Sequence, residues 1–206
     1  MTRRRVDVAK VGPWLVEVGL QEPGPLAWGE LFPKCAGPVS VEFGCGYGLF
    51  LRDLAALSPE RPFLGVEHDR GAGLRAARKL MLAGAPNARV VVGDSFWAIH
   101  QLFRPGEVGD VYVNFPDPWP KRRHARRRYV RQPFVEELHR KMAPGHAVYL
   151  ATDAAAYAEE IEVLFDNHPG FTGGRVAAKP TPVSSKYELE FGAQGVEIHY
   201  LVYRLR

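Results

Sequence analysis

The sequence has little cysteine and no long apolar run. Cys35 and Cys45 are the only cysteines among 206 residues, too few for a disulfide framework and without the paired spacing of a zinc site. No 18 consecutive apolar residues occur, and the basic N-terminus is not followed by the apolar segment of a secretion signal. We therefore expect reduced thiols, no metal, no membrane association and a cytoplasmic protein.

Acidic residues are missing from one strongly basic stretch. Between residues 121 and 131 the chain has no acid and seven cations, Lys121, Arg122, Arg123, Arg126, Arg127, Arg128 and Arg131. The formal net charge is +4, and without these seven cations 20 bases stand against 23 acids, a balance of −3. Such a local patch is typical of a surface that contacts a phosphate backbone, although charge runs also occur on ordinary solvated surfaces.

Alternating β-rich runs and amphipathic stretches predict an α/β domain. Five short apolar runs are predicted strands, at residues 39–43, 63–67, 89–93, 111–115 and 146–151. Helical periodicity is found at 49–57, 70–82 and 133–142, and in a segment carrying Tyr157, Ile161, Leu164 and Phe165. Residues 186–188 and 196–205 are predicted as two closing strands. We expect a doubly wound, mostly parallel sheet with an antiparallel C-terminal end, in one domain over residues 38–206 behind an irregular segment 1–37.

A glycine-rich loop, residues 44–48, follows the first predicted strand and precedes a helix. A dinucleotide fingerprint needs its third glycine one residue later, and the charge of Glu42, close before the loop, would repel a pyrophosphate. A cationic ligand without phosphate fits better, and S-adenosylmethionine has that character. We therefore expect Glu42, Gly44 and Gly46 to bind this cofactor, the alternative being that the glycines only allow tight packing.

Two further acids end the next two predicted strands. Glu67 lies 25 residues after Glu42, where an acid binds ribose hydroxyls in a Rossmann-like crevice. Asp94 follows the third strand and is placed either to accept a hydrogen bond from the adenine amine or to cap the next helix. Acids at successive strand ends favour a ligand at this edge of the sheet.

Three prolines spaced two apart, Pro116, Pro118 and Pro120, end the fourth predicted strand. Each proline favours an extended backbone in the residue before it, so we expect Phe115, Asp117 and Trp119 in a stiff, non-helical loop. Asp117 either serves the chemistry or only shapes the turn. Trp119 either stacks on a base or belongs to the core.

From about residue 39 to its C-terminal end the sequence resembles the bacterial tRNA (guanine-N7)-methyltransferases, class I enzymes with a Rossmann-like fold that use S-adenosylmethionine. The resemblance is carried by residues 42–48, 114–124, 151–153 and 185–188, with the sequences EFGCGYG, NFPDPWPKRRH, ATD and SKYE. It implies that Asp117 is catalytic and that the cofactor contacts Glu42, Glu67, Asp94 and Asp117. It implies that the tRNA guanosine is held by Lys121, Asp153, Ser185, Lys186, Tyr187 and Glu188. Two departures are Ser185, where the family usually has threonine, and residues 189–192, where it has an arginine-glycine pair.

The reaction implied by the resemblance is methyl transfer to N7 of guanine 46 in the variable loop of tRNA, by a monomer or a homodimer. N7 has a free lone pair, so alignment and electrostatics can supply the rate without prior deprotonation. The predicted RNA-contact patch is Arg122, Arg123, Arg126, Arg127 and Arg128. Two alternatives stay open: methylation of another base position or exocyclic amine of RNA, and a non-catalytic basic RNA-binding module.

Overall fold

The part of the chain that the structure describes is built on an eight-stranded sheet. The computed structural model describes residues 11–16, 24–119 and 122–206. The strands are β1 (Leu15–Val16), β2 (Val39–Phe43), β3 (Phe63–Glu67), β4 (Ala88–Val92), β5 (Val108–Asn114), β6 (Ala147–Thr152), β7 (Phe171–Val176) and β8 (His199–Leu205). Their order is β1-β4-β3-β2-β5-β6-β8-β7. The first six pair in parallel and β8 runs antiparallel to β6 and β7, which confirms the predicted sheet.

Helices cover both faces of this sheet. They are α1 (Trp28–Leu31), α2 (Leu49–Leu57), α3 (Arg70–Ala83), α4 (Ser95–Leu102), α5 (Gln132–Lys141), α6 (Ala155–Asp166) and α7 (Lys186–Ala193). Short 3-10 helices span Gly12–Trp14 and Arg122–Arg127. Helices α2 and α3 share one apolar core with the sheet, whereas α4, α5 and α6 share the other.

Two cores arise because successive side chains of a strand point to opposite faces. In β3, Leu64 and Val66 belong to the core with α4, α5 and α6, whereas Phe63 belongs to the core with α2 and α3. Val90 and Val91 of β4 are divided in the same way. Every residue of β2 and β3 is buried, so these strands have the near-continuous apolar sequences that predicted them.

The carboxyl ends of the parallel strands meet at one edge of the sheet. The order of connection reverses between β2 and β5, which is where doubly wound sheets form a ligand crevice. Glu42 lies in β2, Glu67 ends β3 and Asn114 ends β5. Asp94 comes shortly after β4, and Asp153 directly follows β6. The fold therefore puts these five side chains at the same edge.

Two C-terminal elements differ from the sequence prediction. Residues 186–188 begin helix α7 instead of a strand, because Ser185 and Glu188 form a capping box. The Ser185 hydroxyl accepts from the Glu188 N–H at 3.2 Å, and the Glu188 carboxylate accepts from the Ser185 N–H at 2.7 Å. A Ser-x-x-Glu spacing is itself the signal for such a helix start. Strand β7 is absent from the prediction because Gly173 and Gly174 interrupt its pattern, and it forms by pairing with β8.

The N-terminal segment joins the sheet where the structure describes it. Leu15 pairs with Val90, so residues 15–16 extend the sheet in parallel instead of being irregular as expected. The Trp14 indole N–H donates to the Ala85 carbonyl at 2.8 Å, and Val11 is buried. Within residues 11–16, 24–119 and 122–206, no helix combines the length and apolar character needed to cross a bilayer.

Candidate active site

A cavity of about 620 Å³ lies at the carboxyl edge of the sheet, beside the glycine loop that follows β2. Its lining includes Glu42, Gly44, Gly46 and Asn114 from the strand ends and the loop, and Ser185, Lys186 and Tyr187 from the start of α7. The structure therefore brings three predicted cofactor residues together with three predicted substrate residues.

Left-handed backbone conformations account for the glycines of the loop. Gly44, Gly46 and Gly48 have φ angles of 75°, 53° and 66°, a region that residues with a Cβ rarely adopt. A Cβ on Gly48 would lie 2.9 Å from that of Ala76 in α3, so the glycine also allows close packing of loop and helix. Leu49, the first residue of α2, lines the cavity, which brings the positive end of that helix to the site.

Glu42 is a buried carboxyl group with one unused oxygen. Its exposed fraction is 3%, Oε1 accepts from the Asn114 amide at 3.1 Å, and Oε2 has no partner among the described residues. Burial raises the pKa of Glu42 to about 8, against the lowering effect of the Asn114 hydrogen bond. An unpartnered carboxyl oxygen in a cavity wall favours a cationic or hydrogen-bond-donating ligand.

Glu67 connects the glycine loop to the end of β3. Its Oε2 accepts from the Gly46 N–H at 2.9 Å, and its Oε1 accepts from the Asp69 N–H at 2.9 Å. The side chain is buried, so these bonds fix its orientation. Each carboxylate oxygen keeps further acceptor capacity, and the predicted ribose contact stays a prediction.

Asp94 caps helix α4. Its Oδ1 accepts from the Trp97 N–H at 2.9 Å, and the side chain is exposed. This is the helix-capping role that the sequence left open for it. Asp94 lies outside the lining of the cavity, so its predicted adenine contact also stays a prediction.

In the proline loop, residues 115–119 in the described part of the chain, Phe115 and Trp119 depart from the extended backbone that a following proline favours. Phe115 and Trp119 have positive φ angles of 51° and 39°. For bulky residues this costs on the order of 1–3 kcal/mol each, so surrounding contacts must hold the loop. Phe115 donates its N–H to the Ala151 carbonyl at 2.8 Å and packs its ring 5.4 Å from that of Phe191 in α7. Asp117, midway between the two strained residues, is exposed.

Arg128 holds the other end of the proline loop. Its guanidinium donates to the Pro118 carbonyl at 2.6 Å and to the Trp119 carbonyl at 3.1 Å, pairs with Glu160 of α6, and lies 4.9 Å from the Tyr157 ring centroid. Only 9% of the residue is exposed. The expectation that Arg128 belongs to the RNA-contact patch is therefore corrected, because its donors are used inside the protein.

The rest of the basic run is at the surface where the structure describes it. The 3-10 helix Arg122–Arg127 presents three exposed side chains, Arg123, Arg126 and Arg127. Arg127 lies 4.8 Å from the Trp119 ring centroid, and Trp119 is half-buried, between the two roles considered for it. Lys121 and the Arg122 side chain lie outside the described residues.

Some of the predicted substrate residues are exposed, whereas others are buried and hold helix α7 in place. Ser185 and Glu188 are buried in the capping box, whereas Lys186 and Tyr187 are exposed at the start of α7. The Tyr187 ring centroid lies 5.8 Å from that of Phe115, so α7 and the proline loop support each other. Asp153 is exposed after β6 and does not line the cavity.

Three residues at the site were not singled out from the sequence. Asn114 orients Glu42, and its position two residues before the first of the three prolines was the available signal. The Tyr129 hydroxyl donates to the Phe43 carbonyl at 3.2 Å, which joins the residues after the proline loop to the end of β2. Tyr47 lines the cavity with a 48% exposed side chain. No sequence pattern identifies Tyr129, because its contact depends on the tertiary fold.

The described residues contain no candidate metal site. No group of three or more His, Cys, Asp or Glu side chains within residues 11–16, 24–119 and 122–206 is placed to hold a metal ion.

Comparison with known proteins identifies the family and the fold. The family model Methyltransf_4, described as "Putative methyltransferase", matches residues 36–201. The chain is 32% identical to a tRNA (guanine-N(7)-)-methyltransferase of Syntrophotalea carbinolica, over 99% of this chain and 88% of that protein. It is 36% identical to one of Halorhodospira halophila, over 92% and 84%. The crystal structure of the 16S rRNA methyltransferase KamB has a TM-score of 0.62 at 14% identity, over 91% and 97% of the two chains, and shows the same fold.

The relatives match the chain over nearly all of its length, and the family model covers both the glycine loop and the proline loop. The solved structure independently assigns the sheet and its helices to the class I, Rossmann-like methyltransferase fold. The chain belongs to the tRNA (guanine-N7)-methyltransferase family.

Proposed function

We propose that this chain transfers a methyl group from S-adenosylmethionine to N7 of guanine 46 in the variable loop of tRNA. The observation that carries the proposal is the cavity in which the unpartnered carboxyl oxygen of Glu42 and the start of α7 meet, next to the loop that bears Asp117. The names of the curated relatives support the substrate class.

The residues of the cavity fit this cofactor. S-adenosylmethionine supplies, when bound, an electrophilic methyl group on a positively charged sulfur. Glu42 offers a carboxyl oxygen for the cationic amino-acid part, and the first N–H groups of α2 suit its carboxylate. Gly44 and Gly46 leave room for a ligand against the backbone. Glu67 and Asp94 remain our candidates for the ribose and the adenine.

Asp117 is our candidate for the residue that stabilises the reaction. Positive charge moves onto the guanine ring as its N7 lone pair forms the new bond, and a carboxylate beside the ring favours that change. No proton has to leave N7, so a general base is not needed. Contacts of Phe115 and of the Trp119 carbonyl hold the strained loop that carries Asp117.

Substrate binding would use the exposed cations and the start of α7. Arg123, Arg126 and Arg127 are available for phosphate contacts, because their side chains are exposed on one short helix. Lys121, Asp153 and residues 185–188 are the proposed contacts to the guanosine, with Ser185 and Glu188 also fixing the helix that presents Lys186 and Tyr187.

Mass spectrometry of tRNA nucleosides tests the proposal. An unmodified tRNA transcript with guanine 46 is incubated with the protein and labelled cofactor, and a transcript with adenine 46 serves as the matched control. We expect labelled 7-methylguanosine from the first transcript alone. Label in N2-methylguanosine, or equal labelling of both transcripts, would disprove the proposed position.

A further inference from the structure

Helix α3 has an unbalanced charge that the proposed site leaves unexplained. Between Arg70 and Ala83 the helix contains four cations and no acid. Three of them, Arg75, Arg78 and Lys79, have the i, i+3 and i+4 spacing that makes them neighbours on the helix surface. Like charges at this spacing slightly destabilise an isolated helix, so an anionic partner would stabilise this face.

This basic face reaches the cavity through Tyr47 of the glycine loop. The Arg75 guanidinium lies 4.7 Å from the centroid of the Tyr47 ring, whose side chain is 48% exposed. Tyr47 and Lys79 both line the cavity. An exposed aromatic ring with a guanidinium against it forms a flat surface on which an unstacked base can lie.

The positive charge of this face is not neutralised by the described part of the chain. Arg75, Arg78 and Lys79 form no ion pair with any residue of 11–16, 24–119 or 122–206. Partial burial and next the nearby Arg52 lower the pKa of Lys79, against the raising effect of Asp53. A phosphodiester backbone supplies the complementary charge.

We propose that Tyr47, Arg75, Arg78 and Lys79 form a second RNA-contact surface, the α3 surface, beside the cavity. Tyr47 and Arg75 stack on an unpaired base next to the target nucleotide, and Arg78 and Lys79 contact the adjoining phosphates. The inference rests on the proposed function for its choice of RNA as the partner. It adds a contact that the arginine patch beside the proline loop does not provide.

The salt dependence of tRNA binding tests the phosphate contacts. The double variant Arg78→Gln, Lys79→Gln keeps long, helix-compatible side chains, and Arg104→Gln, Arg140→Gln is a control that removes two exposed positive charges elsewhere. Each lost phosphate contact lowers the slope of log affinity against log salt by roughly 0.7 to 0.9. We expect a lower slope by about 1.5 in the α3 variant and less than half of that in the control. Equal slopes in both variants would overturn the proposal.

The stacking contact is tested by paired substitutions of Tyr47. Tyr47→Phe keeps the ring, whereas Tyr47→Leu removes it at similar volume. We expect Tyr47→Leu to weaken tRNA binding roughly 5- to 150-fold, the range for one lost base-aromatic stack, and Tyr47→Phe to bind like the parent. Equal affinity of the two variants would remove the stacking role. Calorimetry with the cofactor alone shows whether either change has disturbed the neighbouring site.

These outcomes are distinguishable from a failure of the proposed function. If the parent protein makes no 7-methylguanosine, the proposed reaction fails, while the salt slopes still measure the α3 surface. If the parent is active and the α3 variants keep the parental slope and affinity, the second surface is wrong and the reaction stands.

Discussion

Glu42 and Asp117 are carboxyl groups in opposite environments at the same edge of the sheet. Glu42 is buried and aimed into the cavity, whereas Asp117 is exposed in a strained loop. The first environment suits a residue that gains a charge partner when a ligand binds. The second suits a carboxylate that meets its partner only when the substrate base arrives. The two residues therefore call for different experiments.

Substitution of Asp117 tests its part in catalysis. Asp117→Asn preserves size and most turn geometry, but removes the negative charge beside the proposed acceptor. We expect turnover on saturating tRNA to fall roughly 100-fold or more, the scale of one lost electrostatic partner, with an unchanged unfolding midpoint. Normal turnover combined with a lower midpoint would show that Asp117 only shapes the loop.

The buried carboxyl of Glu42 predicts a pH dependence of cofactor binding. With a pKa of about 8 in the free protein, Glu42 is mostly protonated at pH 6 to 7, and a cationic ligand favours its carboxylate form. Binding should therefore release a proton, and affinity should rise with pH below about 8. Calorimetry between pH 6 and 8 measures this directly.

Glu42→Gln separates that titration from the ionisation of the ligand. The variant keeps a hydrogen-bonding side chain but cannot ionise, so any remaining pH dependence belongs to the ligand, whose amine titrates near pH 8. We expect weaker binding and a flatter profile below pH 8. A profile with the parental slope in Glu42→Gln would rule out Glu42 as the titrating group.

At the scale of elements, the proline loop is held between α6 and α7. Phe115 packs on α7 at one end of the loop, and Arg128 binds two loop carbonyls and Glu160 of α6 at the other. The positive φ angles of Phe115 and Trp119 persist because these contacts outweigh their cost. The loop is therefore a rigid support for Asp117.

The substitution Arg128→Ala tests whether Arg128 holds the proline loop in place or binds RNA. The Pro118 and Trp119 carbonyls lose their donor, which costs about 1–3 kcal/mol of unfolding free energy. We expect a fall in kcat with little change in tRNA affinity. The matched control Arg126→Ala, only two residues away and exposed, should weaken tRNA binding and leave kcat nearly unchanged. Weaker tRNA binding with nearly unchanged kcat in Arg128→Ala would instead place Arg128 in the RNA-contact patch.

How much the sequence predicts depends on whether an element's signal is local. The strands of the parallel sheet are buried on both faces, so their apolar runs are visible in the sequence. Helix α7 also has a local signal, the Ser185–Glu188 capping box, which competes with a strand-like composition. Strand β7 contains two central glycines and depends on pairing with β8, so no local pattern identifies it.

The residues of the candidate site also differ in whether a local sequence pattern identifies them. Glycines and strand-end acids could be placed from their spacing, because the carboxyl ends of parallel strands meet at one edge. The Arg128–Glu160 ion pair, the Asn114–Glu42 hydrogen bond and the Tyr47–Arg75 contact join residues 28 to 72 positions apart. Such contacts follow from the tertiary fold, and composition gives no sign of them. A run of arginines therefore predicts a basic surface without revealing which member is buried.

At the scale of the whole molecule, the cavity and the positively charged surfaces are associated with the same edge of the sheet. The cavity, the exposed arginines after the proline loop and the α3 surface are attached to the carboxyl edge of the sheet or to the helices that begin there. This arrangement suits a large polyanion whose target base enters the cavity between the bound phosphates.

Atomic replacement of the acceptor nitrogen tests methylation at N7 most directly. A tRNA transcript carrying 7-deazaguanine at position 46 has a carbon in place of N7 but retains the exocyclic amine and the shape of the base. We expect this transcript to bind like the guanine transcript and to receive no labelled methyl group at position 46. Methylation of the 7-deazaguanine transcript at the rate of the guanine transcript would contradict transfer to N7.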